Sequence, residues 1–421
     1  MPVPTELQFL AFDPSDPKAA LMQLPVSAAV FSLHGAEAHA EPYIGRTPNL
    51  RGRLERLLQP SAKHPRRLQL AGRVRQIRWC LTGSEFESLL VQFSLLEDVY
   101  GTQCLERMHL RNPAFVRFLG SNAYPRIVVT HRPSQREADW AYGPFSSRAA
   151  AERFADEALK LFLLRRCTDD LDPHPDHPGC VYSEMKMCLA PCYKGCSDER
   201  YAEEAEAVER FLSTRGESRL TRLRAERDQA SANLEFESAA AAHALVQRIE
   251  SVRTLAPELV RPLSQLRAVI LQASANPDEV AVFLYESGRL RGPAAFSTLG
   301  MRIQNEQSGS SSLFAHPVAV EPVRETPPAE TAGHAPVKIP RGLLESRLET
   351  ALAALTQPVA APSATVRQGH LALLKRWYYR PEVRRVGEIF FPDPDGNWPV
   401  KAVLRGVGRV YSSGFKATDP S

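Results

Sequence analysis

Leu161-Phe162-Leu163-Leu164-Arg165-Arg166-Cys167, then Cys180-Val181-Tyr182, then Cys188-Leu189-Ala190-Pro191-Cys192: this run gathers most of the chain's thiols. Seven cysteines occur in 421 residues, and five of them lie between Cys167 and Cys196. No apolar run is long enough to cross a bilayer. The N-terminus lacks the basic region and apolar core of a secretion signal. The chain is therefore expected in the cytoplasm, away from membranes, where thiols stay reduced and a cysteine cluster suits a metal better than disulfides. Twelve, seven and three residues separate Cys167, Cys180, Cys188 and Cys192. Zinc sites usually show two tight pairs, and only Cys188 and Cys192 make one here. Spacing alone leaves zinc, an iron–sulfur cluster and plain buried thiols open. Cys196 is a fifth thiol, either a spare or a ligand in place of one of the four. His174 and His177 are three apart, but Pro173, Pro175 and Pro178 forbid the helix that would align them; these two and His64 read as loop residues.

Outward from this run, the composition is that of a soluble globular protein, 43% hydrophobic and 24% charged. The net charge is only +4, yet Arg46 to Arg78 holds ten Lys or Arg against one acid, Glu55. Such a local cationic surface suits a phosphate backbone, or is simply a solvated face. Before the cysteines, strands are predicted over Val26–Leu33, Glu41–Ile44 (ending at Gly45), Arg73–Leu81 and Arg126–Thr130. Helices are predicted over Asn49–Leu58 and Glu85–Val99. Tyr142-Gly143-Pro144-Phe145 reads as a turn. Ser146 or Ser147 caps a helix with a stripe of Ala151, Phe154, Ala155, Ala158, Leu159 and Phe162. After the cysteines, proline-free Tyr201–Val252 predicts two or three helices, broken near Asn233 into a hairpin. Strands return over Ala268–Leu271 and Val280–Tyr285, with Ser287-Gly288 as a turn. Residues 304–340, rich in Ser, Pro, Glu and Thr, read as a disordered linker. Helices follow over Gly342–Leu355 and Gln368–Tyr379, then a tail suited to one small strand pair.

Two more constellations carry chemistry. Tyr43-Ile44-Gly45-Arg46 is followed by Asn49-Leu50-Arg51-Gly52-Arg53. A phenol can pass on a proton from an attacking water, and guanidiniums stabilise charge growing on phosphoryl oxygens. The other is Leu234-Glu235-Phe236-Glu237-Ser238-Ala239-Ala240, between two helices. The helix after it is expected to put Ala241, Leu245, Ile249 and Val252 on one face. A short hairpin cannot bury both faces alone, so its apolar stripe needs either a partner or this chain's own core.

These segments, in this order, resemble the UvrC family of excinucleases, which act in nucleotide-excision repair, over roughly residues 20–300. The cysteine run is similar to the family's Leu-Phe-x-Leu-Arg-x-Cys, Cys-x-Tyr and Cys-x-Ala-Pro-Cys. Tyr124-Pro125-Arg126-Ile127 and Tyr142-Gly143-Pro144-Phe145 resemble two further family segments, and Trp377-Tyr378-Tyr379 with Glu388-Ile389 is a weaker likeness. The resemblance implies that Cys167, Cys180, Cys188 and Cys192 hold a 4Fe–4S cluster. It implies a GIY-YIG nuclease site in which Tyr43 is the base or water-orienting group and Arg46 and Arg53 grip the phosphate. It also implies a UVR hairpin that docks a UvrB-like protein through Leu234, Phe236, Leu245 and Ile249, and DNA as the second partner. Two departures weaken the nuclease site. Phe31 stands where the signature has a tyrosine. Gln92, ending Glu87-Ser88-Leu89-Leu90-Val91-Gln92, stands where it has the metal-holding glutamate. A neutral amide binds Mg²⁺ or Mn²⁺ far less well than a carboxylate.

The expected fold is accordingly α+β or α/β and multidomain. A GIY-YIG-like mixed α/β domain occupies 1–105, a cysteine-rich helical cluster domain 106–215, and the UVR hairpin 216–256. A small C-terminal α/β region takes 257–303 and 341–421. The family's second, 5′-cutting nuclease and its DNA-binding end have no room in the rest of the chain, so it reads as truncated. Function is expected to be DNA and UvrB binding with weakened or lost incision. The alternatives are an active Mg²⁺-dependent endonuclease making one 3′-side cut, and a redox sensor using the cluster.

Overall fold

The structure, a computed structural model, describes residues 7–416 apart from 38, 60–69, 71, 133–138, 169–170, 300–339 and 359. The expected linker over 304–340 falls outside them except for Pro340, and so do His64 and part of the basic run. The described residues build three four-stranded antiparallel sheets with helices packed on them. The mixed α/β expectation therefore holds in its broad form.

The first sheet contains β1 (Gln8–Ala11), β2 (Ala29–Gly35), β3 (Tyr43–Thr47) and β4 (Val74–Leu81), in the order β1-β4-β2-β3. Side chains alternate across a strand, and β2 shows this directly. Ala29, Phe31 and Leu33 face α1 (Pro17–Met22) and α2 (Leu50–Leu58), whereas Val30 faces the core that includes α3 (Glu85–Tyr100). Strand β3 does not stop at Gly45 as expected but runs on to Thr47. A Cβ at Gly45 would stand 2.9 Å from the Phe31 ring, so glycine lets the strand pass beneath it.

The middle sheet departs from the helical cluster expected over 106–215. After α4 (Cys104–Arg107), it contains β5 (Ala114–Leu119), β6 (Arg126–Thr130), β7 (Asp139–Phe145) and, much later, β8 (Arg261–Pro262), in the order β6-β5-β7-β8. Tyr142 to Phe145 is not a turn but the end of β7. Gly143 passes where a Cβ would meet the Phe115 ring at 2.8 Å, and the ladder slips register opposite, between Ala114 and Val116. Gly and Pro sit at an irregularity inside a strand, a place that tolerates both. On this sheet lie α5 (Arg148–Leu159, capped by Ser147), the cysteine loop with α6 (Val181–Glu184), and the helices α7 (Asp198–Ser213), α8 (Glu217–Ala232) and α9 (Phe236–Thr254).

The last sheet is β11-β10-β9-β12, from β9 (Ala268–Ala273), β10 (Glu279–Glu286), β11 (Arg289–Ser297) and β12 (Glu388–Phe390). Ser287 and Gly288 both have positive φ, 52° and 78°, the signature of a tight hairpin turn. The helices are α10 (Arg341–Leu355), α11 (Ala364–Tyr378) and α12 (Val400–Lys416). The strand pair expected in the tail is a single strand, β12, added to the edge of β9, and the chain then enters α12. Gly406 of α12 lies where a Cβ would strike the Phe390 ring, which explains a glycine inside a helix. One face of this sheet packs on α10 and α12. The other joins α11 and α3 in the largest core, where Phe86 meets Phe283 edge-on and also touches Trp377. Helix α3 is thus clamped between the first and last sheets. Among the described residues no helix is long and apolar enough to cross a membrane.

Candidate nuclease face, cysteine loop and helical hairpin

Strand β3 and helix α2 bring two of the four predicted nuclease residues, Tyr43 and Arg53, together, while Arg46 lies on the opposite, α3-facing side of the strand. Asn49 caps α2 by accepting the Gly52 N–H at 2.8 Å, which sets the helix start and with it Arg53 one turn on. The Arg53 guanidinium reaches the Tyr43 hydroxyl at 3.5 Å, and the Tyr43 ring lies 6.1 Å from Phe31. Arg46 is exposed on the same strand and reaches a Glu85 oxygen at 3.4 Å. Glu85 also accepts two hydrogen bonds of 2.8 Å from Arg380, which sits just past α11 in the C-terminal region. That bidentate pair, with help from Arg46, holds the Glu85 carboxyl below the usual range. Gln92 is half-buried on α3 and has no hydrogen-bond partner among the described residues. Nearby, Glu87 is buried and accepts the Gly83 N–H at 2.8 Å; burial pushes its carboxyl up to about 7.

From the sequence, Glu85, like Glu97, is an acid near the metal-ligand position but off its helical register, and Arg380 carries no signal. Glu85 reads as an ordinary first-turn acid of α3. Arg380 lies 295 residues further on, and no local pattern joins them.

The cysteine loop hangs from one buried arginine. Arg165 is 3% exposed. Its Nε donates to the Tyr124 carbonyl at 3.0 Å, its backbone N–H donates to the Tyr201 hydroxyl at 3.2 Å, and its Nη1 lies 3.5 Å from the Cys167 sulfur. Tyr201 in turn donates to the Pro125 carbonyl at 2.8 Å. The Tyr124-Pro125 segment is therefore structural, anchoring the loop to the start of β6. The His174 N–H donates to the Cys192 carbonyl, so the proline-rich segment folds back on the tight cysteine pair.

The thiols of Cys167, Cys180, Cys188 and Cys192 lie close enough to act on one another. Burial raises Cys188, and charge on the other three raises it further; Cys192 is raised by burial and by Cys180 and Cys167. Cys196 is raised by burial and feels Arg200 and Asp198 instead. Among the described residues, no three His, Cys, Asp or Glu side chains close into a group able to hold a metal ion.

The hairpin splits the residues predicted to bind a partner. Leu234, Phe236 and Leu245 are exposed, the first two at 71% and 68%. Ile249 is fully buried, and so is Val252, in the core with Leu220, Leu223 and Val246. The expected common face of Ala241, Leu245, Ile249 and Val252 is therefore not formed. The seam of α9 that packs inward is Ala242, Val246, Ile249 and Val252. Periodicity alone could not choose between two registers that share two residues.

Residues 115–211 match the family described as UvrC/Cho excinuclease, middle domain. This segment is therefore similar to a UvrC-type middle domain. This segment runs from β5 to the end of α7 and contains all five clustered cysteines. The nuclease face and the hairpin lie outside it. Over longer stretches the chain is similar to parts of curated proteins. UvrABC system protein C of Alcanivorax borkumensis is 29% identical over 238 residues, 56% of this chain and 39% of that protein. Its counterpart in Ruminiclostridium cellulolyticum is 27% identical over 294 residues, 69% of this chain and 47% of that protein. Its counterpart in Symbiobacterium thermophilum is 27% identical over 275 residues, 65% and 43% respectively. The chain spans less than half the length of these relatives. No solved structure matches it.

Proposed function

We propose that this chain is a UvrC-like nucleotide-excision-repair protein that binds DNA and a UvrB-like protein, with weakened or lost incision at its GIY-YIG-like face. The observation that carries this reading is the match of residues 115–211 to a UvrC middle domain that includes all four candidate cysteine ligands. Four thiolates are the usual ligand set of a 4Fe–4S cluster. Here they come from three segments, and the Arg165 guanidinium lies beside Cys167, where it offsets thiolate charge. In kind and number the four thiols suit such a cluster, although among the described residues they are not gathered into a metal-holding group. The cluster, when bound, supplies a cross-link for a loop with little regular structure. Arg165, Tyr201 and Tyr124 orient that loop.

At the candidate nuclease site, Tyr43 and Arg53 are within reach of each other, and Arg46 lies three residues along the strand from Tyr43. A divalent ion would supply Lewis-acid stabilisation of the leaving oxygen. Gln92 offers no carboxylate to hold it, and the Glu85 carboxylate is already engaged by two arginines. This supports weakened or lost cleavage. The contact between Arg53 and Tyr43 favours the alternative, a single 3′-side incision.

The test is nicking of a lesion-bearing duplex with Mg²⁺ or Mn²⁺ and a UvrB protein, beside a pull-down with that protein and an iron assay. The expected result is binding, about four irons per chain, and nicking that is weak until Gln92→Glu is introduced. Material that is iron-free and ignores the UvrB protein would overturn the proposal. Strong nicking by the wild type, lost in Arg53→Ala, would establish the alternative.

A further inference from the structure

Lys375-Arg376-Trp377-Tyr378-Tyr379-Arg380-Pro381-Glu382-Val383-Arg384-Arg385 places five cations and one acid in eleven residues. The segment ends α11 and turns along the mouth of a cleft of about 990 Å³ between the first and last sheets. Arg380, Arg384, Arg385 and Arg409 line that cleft, together with Glu85, Glu279 and Glu388. Two arginines are neutralised in place: Arg380 by Glu85, and Arg409 by a bidentate pair with Glu388. Arg385 is held by the Tyr378 carbonyl at 3.0 Å and lies over the Tyr378 ring. Arg376 and Arg384 are different. Both are exposed, and among the described residues neither side chain makes a hydrogen bond or ion pair. Arg376 is near enough to Glu85 to lower its pKa.

Glu85 is the hinge between this segment and the candidate nuclease face, because it touches Arg46 on one side and Arg380 on the other. Arg46, Arg380, Arg376 and Arg384 thus form a cationic track around Glu85 that crosses from β3 to α11. A basic run is usually just a solvated face. This one is concave, joins two sheets, and includes Arg46, one of the residues that would grip a phosphodiester.

We infer that this track is a nucleic-acid backbone site, in which the C-terminal region carries a strand that Arg46 also meets. The inference rests on the nucleic-acid reading proposed above and assigns a new element to it. The aromatic residues in the segment do not offer stacking platforms. Trp377 is buried with its indole N–H on the Val386 carbonyl at 3.0 Å, and the Tyr379 hydroxyl donates to the Pro144 carbonyl at 2.9 Å. Recognition is therefore by charge and is indifferent to base sequence.

The experiment is fluorescence anisotropy of labelled single-stranded and duplex oligonucleotides with the full chain over a salt series. Arg376→Ala/Arg384→Ala removes two phosphate contacts. The slope of log K against log salt should shrink by about 1.4 on single strands or about 1.8 on duplex, since each contact contributes about 0.7 or 0.9. Binding at low salt should weaken at least tenfold, equally for unrelated sequences. Arg222→Ala, an exposed arginine on α8, should change neither. Glu85→Gln removes the carboxylate that neutralises Arg46 and Arg380, and should tighten binding. Wild-type binding whose slope is untouched by the double variant overturns the track while leaving the repair reading standing. Absence of any nucleic-acid binding by the wild type removes both.

Discussion

Ile249→Ala and Phe236→Ala, made separately, should behave as opposites although both lie on α9 of the hairpin. Ile249 is 0% exposed and packs among Leu220, Leu223, Val246 and Val252. Truncating it removes buried methylenes and leaves a cavity, a loss of about 3 kcal/mol within the usual range of about 2–5 for such changes. For a unit of about 150–250 residues, each kcal/mol moves Tm by about 2–4 °C. The middle transition should therefore fall by about 6–12 °C. Phe236 is 68% exposed at the hairpin tip, so its truncation should shift stability by no more than about 0.5 kcal/mol. If the tip is the docking element, the same change should cost about 2 kcal/mol or more of affinity for a UvrB protein, as a central aromatic anchor does. Thermal melts followed by far-ultraviolet circular dichroism give the first pair of numbers, and titration calorimetry gives the last. Equal Tm losses for the two variants, or a larger loss for Phe236→Ala, would refute the packing scheme. A stable Phe236→Ala that binds UvrB normally would remove the tip from the interface.

Other outcomes follow from single positions. Leu234 holds φ +63°, a region that costs a side-chain-bearing residue about 1–2 kcal/mol, so Leu234→Gly should not lower Tm and is expected to raise it. At Gly83 a Cβ would stand 2.1 Å from the Ser274 backbone carbon, so Gly83→Ala should cost about 1–3 kcal/mol in urea melts; an unchanged midpoint would show that the two sheets separate freely. His370 accepts the Leu290 N–H at 2.8 Å, and burial pushes it down to about 3. Unfolding lets it bind a proton below its usual 6.5, so its contribution falls by about 1.4 kcal/mol per unit as pH drops from 6.5 towards 3. Glu87, raised to about 7, works the other way: its contribution is complete below about 4.5 and is lost as pH rises through 7. Together they predict a stability plateau between pH 4.5 and 6.5 and a steep loss below it. In Glu87→Gln that plateau should become a rise with pH; a flat profile would contradict the assignment.

Much of this was legible in the chain itself. Ser147 announced its helix because a short polar side chain before an apolar stripe has one good use, and the spacing of Leu50, Leu54 and Leu57 announced α2. Ser287-Gly288 announced its hairpin because few residue pairs accept two positive φ angles. The cysteine run was legible as a family trait, and Arg165 inside it proved to be the post that holds the loop. Other features were not. Tyr142 to Phe145 looked like a turn because Gly and Pro are ambiguous until the Phe115 ring above them is known. The middle sheet closes with two residues, Arg261 and Pro262, separated from β7 by the whole hairpin, and two residues carry no periodicity. The Arg46–Glu85–Arg380 chain depends on a tertiary contact across almost three hundred residues, to which charge patterning is blind.

Helix α3 lines the nuclease face with one side and completes the hydrophobic interior of the last sheet with the other. A fragment ending near residue 105 would bare Phe86, Leu90 and Phe93 to water, and would be sticky for that reason alone. The first sheet is thus no bead on a string, and any rearrangement around it must leave α3 seated.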